Sequence, residues 1–469
     1  METILEEIVE SRRKQLESQK QSLSLSSIQD SLQPSDRDLA GALKSPRPAF
    51  ILECKKASPS QGLIRDNFDL ADIADVYGRH ASAISVLTES EYFQGSLKNL
   101  DIVRQRVSQP LLCKDFFVDP YQVYQARHFG ADAILLILAI LDDDTWRQLF
   151  ELARSMEMDA ITEVSNREEQ QRAIKLGAPI VGINNRNLRD MSINLDTTRQ
   201  LADALPEGTL VISESGYHTN QQIRSMNDVA HGFLVGSSLM KEPDLERAVK
   251  SLILGDHKVC GLTRNEDARA ADQAGAVYGG VIFAEDSPRR VSIDDVDSIF
   301  EDCRLQRIGV FQNQSLEEVA KTVLAAHLDG VQLHGDESPQ YVRDLRGRIG
   351  EGVAIWKALT VDQLTEHTDS FLDASADRLV VDNQEAGLSG GTGRPFDWSR
   401  LPAGHRQSII VAGGIGPDNV IDALRLGCHG VDMNSGLEDA PGIKSAEKIK
   451  KAFRRIRNYQ VQTGDVWQN

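Results

Sequence analysis

The chain has 469 residues, with 52 Lys and Arg against 70 Asp and Glu, a formal net charge of −18. Such acidity argues against nucleic-acid binding, which depends on basic clusters that displace counterions from phosphates. The length exceeds the roughly 100–200 residues of an ordinary domain, so two domains are expected, and 41% hydrophobic with 26% charged residues excludes wholesale disorder.

The N-terminus, Met1-Glu2-Thr3-Ile4-Leu5-Glu6-Glu7, is acidic and lacks the basic and apolar regions of a secretory signal. Within residues 1–45, Ile4, Leu5, Ile8 and Val9 fall at helical spacing and a Ser/Gln-rich stretch follows through Ser35, which predicts a helix packed on the next domain. Short β-branched runs then alternate with helix-like segments. Eight strands are expected at Phe50 to Lys55, Ala83 to Thr88, Leu111 to Lys114, Ala133 to Leu138, Ala160 to Val164, Ile180 to Asn184, Leu210 to Ser215 and Gly232 to Gly236. The longest apolar stretch, Ala133 to Leu141, is far short of the roughly 20 residues of a membrane helix and reads as a buried strand.

The pattern begins again at Lys258. A second set of eight is expected at Val259 to Leu262, Val277 to Phe283, Arg307 to Phe311, Gly330 to His334, Ala354 to Ala358, Arg378 to Asp382, Ser408 to Ala412 and Gly430 to Met433. Alternating strands and helices imply parallel βαβ units, and eight such units are the count of a (β/α)8 barrel. The predicted fold class is therefore α/β, two tandem (β/α)8 TIM barrels, over 1–256 and 257–469, the first preceded by the 1–45 helical extension. The boundary near Leu254-Gly255-Asp256-His257 is too short for a flexible linker. Two doubly wound sheets compete, but no GxGxxG opens either half and no GxxxxGK[ST] occurs.

Barrel active sites lie at the carboxyl ends of the strands. In the first half those ends carry Glu53 and Lys55, Lys114, Glu163, Asn184, and Glu214 with Ser215. Glu53 and Lys55 are two apart and face inward together, while Cys54 faces the helices. A lone buried charge is often half of an ion pair. Five strands converging with charged or amide groups point instead to acid/base chemistry, in which burial moves a pKa toward neutrality. After the last two strands stand Ser215-Gly216 and Gly236-Ser237-Ser238, where barrels bind phosphate through backbone amides, so a phosphorylated sugar is the natural substrate class.

The second half repeats the phosphate signature in Ala412-Gly413-Gly414-Ile415 and Asn434-Ser435-Gly436. Its strand-end residues are Cys260, His334 and Asp382, with Arg289 in the loop after strand 2. A lone cysteine is usually inert core and a lone histidine a satisfied hydrogen-bonding group. Cys260 across the ring from Asp382 favours a base and an acid working on two sides of a bound sugar. The segment Gly387-Leu388-Ser389-Gly390-Gly391-Thr392-Gly393 reads as a loop able to cover such a site. The five cysteines, Cys54, Cys113, Cys260, Cys303 and Cys428, are widely spaced with no CxxC pair, so neither a disulfide framework nor a metal site is expected.

At these residues the sequence closely resembles the fused indole-3-glycerol-phosphate synthase and N-(5'-phosphoribosyl)anthranilate isomerase family of tryptophan biosynthesis. The synthase half carries Phe50 to Ser60 (FILECKKASPS), Cys113-Lys114-Asp115-Phe116, Thr162-Glu163-Val164, Gly182-Ile183-Asn184-Asn185-Arg186 and Ile212-Ser213-Glu214-Ser215-Gly216. The isomerase half carries Lys258-Val259-Cys260-Gly261-Leu262-Thr263, Ser287-Pro288-Arg289, Val331-Gln332-Leu333-His334-Gly335 and Phe396-Asp397-Trp398. For the isomerase the resemblance implies an Amadori rearrangement of an anthranilate-bearing aminoaldose phosphate to its aminoketose. Asp382 would be the general acid, Cys260 the base at C2', Arg289 the anthranilate-carboxylate ligand, His334 a substrate-binding residue, and Gly413, Gly414, Ser435 and Gly436 the phosphate site.

For the synthase it implies cyclisation, decarboxylation and dehydration of that aminoketose to indole-3-glycerol phosphate. Lys114 would be the general acid and Glu163 would handle protons in the dehydration, Lys55 sharing that work or contacting the substrate carboxylate. Glu53 would stabilise cationic intermediates, and Asn184 and Glu214 would orient hydroxyls. Ser58, Phe116, Arg186, Ser215, Gly216, Gly236 and Ser237 would bind substrate and phosphate. No cofactor and no metal is implied, and the partners are the small phosphosugar-anthranilate substrates, with no nucleic acid and no membrane. The chain is expected to be a cytoplasmic monomer. It departs from the family between Asp382 and Gly390, where Asn383 to Ser389 is longer and more acidic than the usual glycine-rich loop. Two alternatives remain: an aminoaldose isomerase of the histidine-biosynthesis kind, which would use two aspartates as acid and base whereas the strand 1 position here is Cys260, and a barrel that has lost activity and survives as a structural or phosphosugar-binding module.

Overall fold

The structure is a computed structural model, described here for residues 4–29, 32–44, 46–187, 191–382, 401 and 403–461. The chain divides into two compact units, Met1–Val249 and Lys250–Asn469, a division that falls within the helix Leu245–Leu254. Each unit contains one closed, eight-stranded parallel barrel.

The first barrel is formed by β1 (Ala49–Cys54), β2 (Ala83–Leu87), β3 (Leu111–Lys114), β4 (Ala133–Ile137), β5 (Asp159–Val164), β6 (Ile180–Asn184), β7 (Leu210–Glu214) and β8 (Gly232–Val235). β1 pairs with β8 on one side and β2 on the other, which closes the ring and leaves no sheet edge. Alternate residues turn inward, and Ile51, Leu112, Leu135, Ile161, Ile212 and Leu234 fill the interior as one apolar cluster. Burying each such side chain stabilises the barrel by about 1.5–3 kcal/mol. Leu39 and Leu43, from the short helix before β1, join the same cluster at the amino end of the strands, where Ala40 N–H donates to Asp159 at 2.9 Å. The carboxyl end is thereby left as the open mouth.

Helices follow the strands because the loops end in capping residues. Asp119 and Thr219 each form a capping box with a Gln at the third helical position, and Asn166 accepts from Glu169 N–H. The predicted N-terminal helix is α1 (Ile4–Ser22), followed by α2 (Leu25–Gln29) inside the Ser/Gln-rich stretch. Leu16 and Ile28 pack on Tyr121, which donates to Leu23 O at 2.6 Å. Arg12, buried, forms a bidentate pair with Asp115 at 2.8 and 2.9 Å, and Thr88 donates to the same carboxylate at 2.5 Å. This pair clamps α1 to the end of β3.

The second barrel comprises β9 (Lys258–Val259), β10 (Tyr278–Ile282), β11 (Gln306–Phe311), β12 (Gly330–Leu333), β13 (Ala354–Leu359), β14 (Arg378–Val381), β15 (Ile409–Val411) and β16 (Gly430–Met433). β9 pairs with β16 in the register Lys258 to Asp432 and Val259 to Met433, closing this ring too. Ile308, Trp356, Val380 and Ile410 form its inner core, with Tyr278 edge-on to Trp356 at 4.8 Å. All sixteen predicted strands are found, with ends within a few residues of those expected; the competing architecture of doubly wound sheets is excluded. The cysteines are free, and among the described residues no helix is long and apolar enough to cross a membrane.

Candidate active sites

Every residue nominated from the sequence in the first half lines one cavity of about 190 Å³ at the carboxyl ends of the strands: Glu53, Lys55, Ser58, Lys114, Phe116, Glu163, Asn184, Arg186, Glu214, Ser215, Gly216, Gly236 and Ser237. Ile4, Leu5 and Ile8 of α1 complete its wall, residues whose amphipathic pattern announces a packing face but not what it covers.

The charges are interleaved. Lys55 Nζ lies 2.6 Å from Glu53 Oε1, and Lys114 Nζ lies 2.8 Å from Glu214 Oε2 and 3.8 Å from Glu53 Oε2. Ser85 donates to Glu53 at 3.3 Å, and Asn184 donates to Glu163 at 3.1 Å. Burial raises the Glu53 carboxyl, but Lys55 and Lys114 outweigh it and hold the group below its ordinary value. Glu163 goes the other way: burial and then the neighbouring Glu214 push it up to about 7, against the pull of Lys114 and Asn184. It is the carboxyl in this cavity poised to exchange protons near neutral pH. The shift toward neutrality falls on Glu163 and not on Lys114. Burial does lower it, but Glu214, Glu53 and Glu163 together drive its pKa above the ordinary lysine value, so it stands as a fixed ammonium donor.

Glu214 Oε1 is buried with no hydrogen-bond partner among the described residues. A Cβ at Gly182 would come within 2.4 Å of that oxygen, so glycine on β6 is what leaves the carboxylate room to face the cavity. Ser215 and Gly216 follow it at φ of 71° and 91°, turning the chain so that successive amides are presented after β7. Ser237, next to Gly236, accepts from Lys55 at 3.4 Å. Arg186 N–H donates to Asn184 Oδ1 at 2.9 Å, and its guanidinium donates to Met191 O at 3.2 Å.

Glu163 also makes stability depend on pH. Its folded-state pKa of about 7 lies above the ordinary 4.5, so between those values the folded chain binds more protons than the unfolded one, and stability falls as pH rises through the window. Glu163→Gln should flatten that dependence. Urea midpoints of the first barrel's transition at pH 5 and pH 8 should differ less in the variant than in the parent, and an unchanged difference would contradict this assignment.

In the second barrel Cys260, just beyond β9, is buried, and β15 and β16 separate β9 from β14, after which Asp382 stands. Burial pushes the Cys260 thiol up, with Lys258 and Lys444 pulling it back. His334 Nε2 lies 3.6 Å from Asp382 Oδ2. Arg289 makes a bidentate pair with Glu438, at 2.8 and 2.7 Å, and Lys444 donates to the same carboxylate at 2.8 Å. Burial alone would raise Glu438, yet these cations lower it to about 2. Arg289 thus directs Nε and one side of Nη2 to Glu438.

The two predicted phosphate turns interlock. A Cβ on Gly436 would lie 2.3 Å from Ile415 O, and one on Gly416 2.6 Å from Gly436 O, so only glycines allow this approach. Gly413 and Gly414 take φ of 95° and 62°, and Ser435 opens the one-turn 3-10 helix Ser435–Leu437. The predicted loop of Gly387 to Gly393 and the Phe396-Asp397-Trp398 motif lie outside the described residues. Sequence reasoning missed Lys258, Gln332, Asp432, Glu438 and Lys444. The first two carried a usable signal, each standing two residues before a nominated one and so facing the same way.

Residues 5–252 match the family model of indole-3-glycerol phosphate synthase, and residues 257–455 that of N-(5'-phosphoribosyl)anthranilate isomerase. A tryptophan biosynthesis protein TrpCF of Salmonella typhi is 48% identical over 459 residues, 98% of this chain and 100% of that protein. The chain belongs to the TrpCF family. Its Vibrio cholerae counterpart is 49% identical over 460 residues, 98% of this chain and 97% of its own length. A crystal structure of phosphoribosyl anthranilate isomerase from Thermus thermophilus is 33% identical, covering 43% of this chain and 98% of its own, with a TM-score of 0.37. The chain is therefore a bifunctional enzyme of tryptophan biosynthesis, with a lyase, indole-3-glycerol phosphate synthase, in its N-terminal barrel and an isomerase in its C-terminal barrel.

Proposed function

We propose that the C-terminal barrel converts N-(5-phosphoribosyl)anthranilate to 1-(2-carboxyphenylamino)-1-deoxyribulose 5-phosphate, and that the N-terminal barrel turns this aminoketose into indole-3-glycerol phosphate with loss of CO2 and water. The observation that carries the reading is that each barrel gathers its own charged residues, with no residue shared: Lys55, Lys114, Glu53, Glu163 and Glu214 in one, Cys260, Arg289, His334 and Asp382 in the other.

In the isomerase, Asp382 protonates the ribose ring oxygen and opens the ring to a Schiff base; Cys260 as thiolate then takes the C2' proton, and the enolamine rearranges to the ketone. Lys258 and Lys444 beside the sulfur favour its charged form. Arg289 takes the anthranilate carboxylate, and the amides of Gly413, Gly414, Ser435 and Gly436 receive the phosphate. In the synthase, the Lys114 ammonium donates to the C2' carbonyl oxygen as the aromatic ring attacks, Lys55 holds the carboxylate, Glu53 offsets the positive charge that develops, and Glu214 orients a hydroxyl. Glu163 moves the protons of the dehydration, which its position near neutrality suits. Ser58, Phe116, Arg186, Asn184, Ser215, Gly216, Gly236 and Ser237 hold substrate and phosphate. Neither sequence of steps calls for a cofactor.

We place the protein in the cytoplasm as a monomer, a state that sedimentation equilibrium tests directly. The functional reading is tested by growth. The chain should restore growth without tryptophan both to bacteria lacking only the synthase and to bacteria lacking only the isomerase; rescue of one strain alone would reduce the other barrel to a binding module.

A further inference from the structure

Lys258 stands two residues before Cys260 and is fully buried. Its ammonium pairs with Asp432 Oδ2 at 2.7 Å and donates to Gln332 Oε1 at 3.0 Å. It also lies beside the cysteine: a Cβ built on Gly280 would be 2.7 Å from Cys260 Sγ and 2.8 Å from Lys258 Cε. An ammonium has donors and no acceptor, so the Gln332 atom that faces it has to be the carbonyl oxygen. The amide orientation is thereby fixed by chemistry. Gln332 Nε2, a donor only, then lies 3.1 Å from His334 Nδ1, which must accept. A neutral imidazole that accepts at Nδ1 carries its proton on Nε2, the ring atom 3.6 Å from Asp382 Oδ2.

We propose that Lys258 and Gln332 lock His334 in its Nε2–H form, making His334 a positioning residue that turns this N–H toward Oδ2 of Asp382 and so orients the acid. The opposite tautomer would aim a lone pair at the carboxyl and draw the acid's proton away from the sugar. One buried ammonium thus lies beside the base, Cys260, and sets the orientation of the acid, Asp382, through two side chains. The inference rests on the reading of Asp382 as general acid.

The test uses the full-length chain labelled with 15N-histidine. Two-bond proton–nitrogen correlations at neutral pH, with the His334 signals identified by their loss in His334→Asn, should show a protonated Nε2 and an unprotonated Nδ1. Gln332→Glu puts an acceptor opposite Nδ1 and should protonate that nitrogen; isomerase kcat should fall about tenfold or more with KM within about twofold, as expected when one polar contact to a charged group is lost. The indole-forming activity of the same molecules, unchanged, reports that they are folded. If that variant does not fold, Gln332→Met removes the donor instead and should give mixed tautomers with a similar fall in kcat. A parent His334 protonated at Nδ1, or a Gln332 variant with altered tautomer and undiminished kcat, would overturn the proposal. Retained isomerase activity in Asp382→Asn would instead overturn the acid assignment and leave the tautomer result standing.

Discussion

Replacing Cys260 with alanine is expected to abolish isomerisation of the aminoaldose while the same molecules still convert supplied aminoketose to indole-3-glycerol phosphate at the parental rate. A positioned general base contributes roughly a hundred- to ten-thousandfold, and among the described residues the side chains beside it are not placed to replace it. Lys258 is committed to Asp432 and Gln332, Lys444 to Asn434 and Glu438, and both are cations. Removing one sulfur from a buried site against glycine leaves a small cavity, costing about 1–2 kcal/mol, which a barrel of this size tolerates. The measurement is the rate of each half-reaction, assayed separately on the purified chain. Loss of both activities in a folded protein would refute the separation of the sites, and isomerisation at more than about a tenth of the parental rate would remove Cys260 from the role of base.

The second large effect is expected at Lys114. Lys114→Met keeps the stem and deletes the charge, leaving Glu53, Glu163 and Glu214 in one cavity with one cation fewer, Lys55 still paired to Glu53. Removing one partner of a buried ion pair typically costs about 3–5 kcal/mol, because the other charge is stranded. The carboxyls respond by holding their protons to higher pH, so the variant's deficit should be largest at pH 8 and smaller at pH 5. Indole formation should fall by roughly a hundredfold or more, since methionine has no proton to donate. Isomerase activity, in a barrel that shares none of these residues, should be unchanged. Indole-3-glycerol phosphate formation above about a tenth of the parental rate would exclude Lys114 as the general acid.

The barrels and their mouths were legible in the sequence because the same parity rule governs both packing and chemistry. A residue such as Glu163 or Asn184 at the end of an otherwise apolar strand has to face either the helices or the cavity, and a charge among apolar helices is too costly. The rule was applied only to strand ends. Lys258 and Gln332 obey it one layer deeper, but a lysine opening a strand and a glutamine in the middle of one read as ordinary edge polarity until the ring closes β9 against β16 and brings Asp432 opposite. The pairing of Arg289 with Glu438 lies further out of reach, since 149 residues separate them and neither has a local pattern that names the other. The direction of the Lys114 shift was out of reach for a related reason. Burial of a lysine can be inferred from its position, whereas the number of carboxylates surrounding it depends on how three strands converge.

The helix α1 changes what counts as a transferable part. Ile4, Leu5 and Ile8 supply one wall of the synthase cavity, and Arg12 grips Asp115, the immediate neighbour of Lys114. An excised ring beginning at Ala49 would keep every charged residue of the mouth, yet would open the glutamates to bulk water and strand Asp115. The heritable module for indole formation is therefore the ring together with its leading segment, and any recombination, by evolution or by design, that joins this barrel to another chain upstream has to cross over before residue 4 rather than at the first strand.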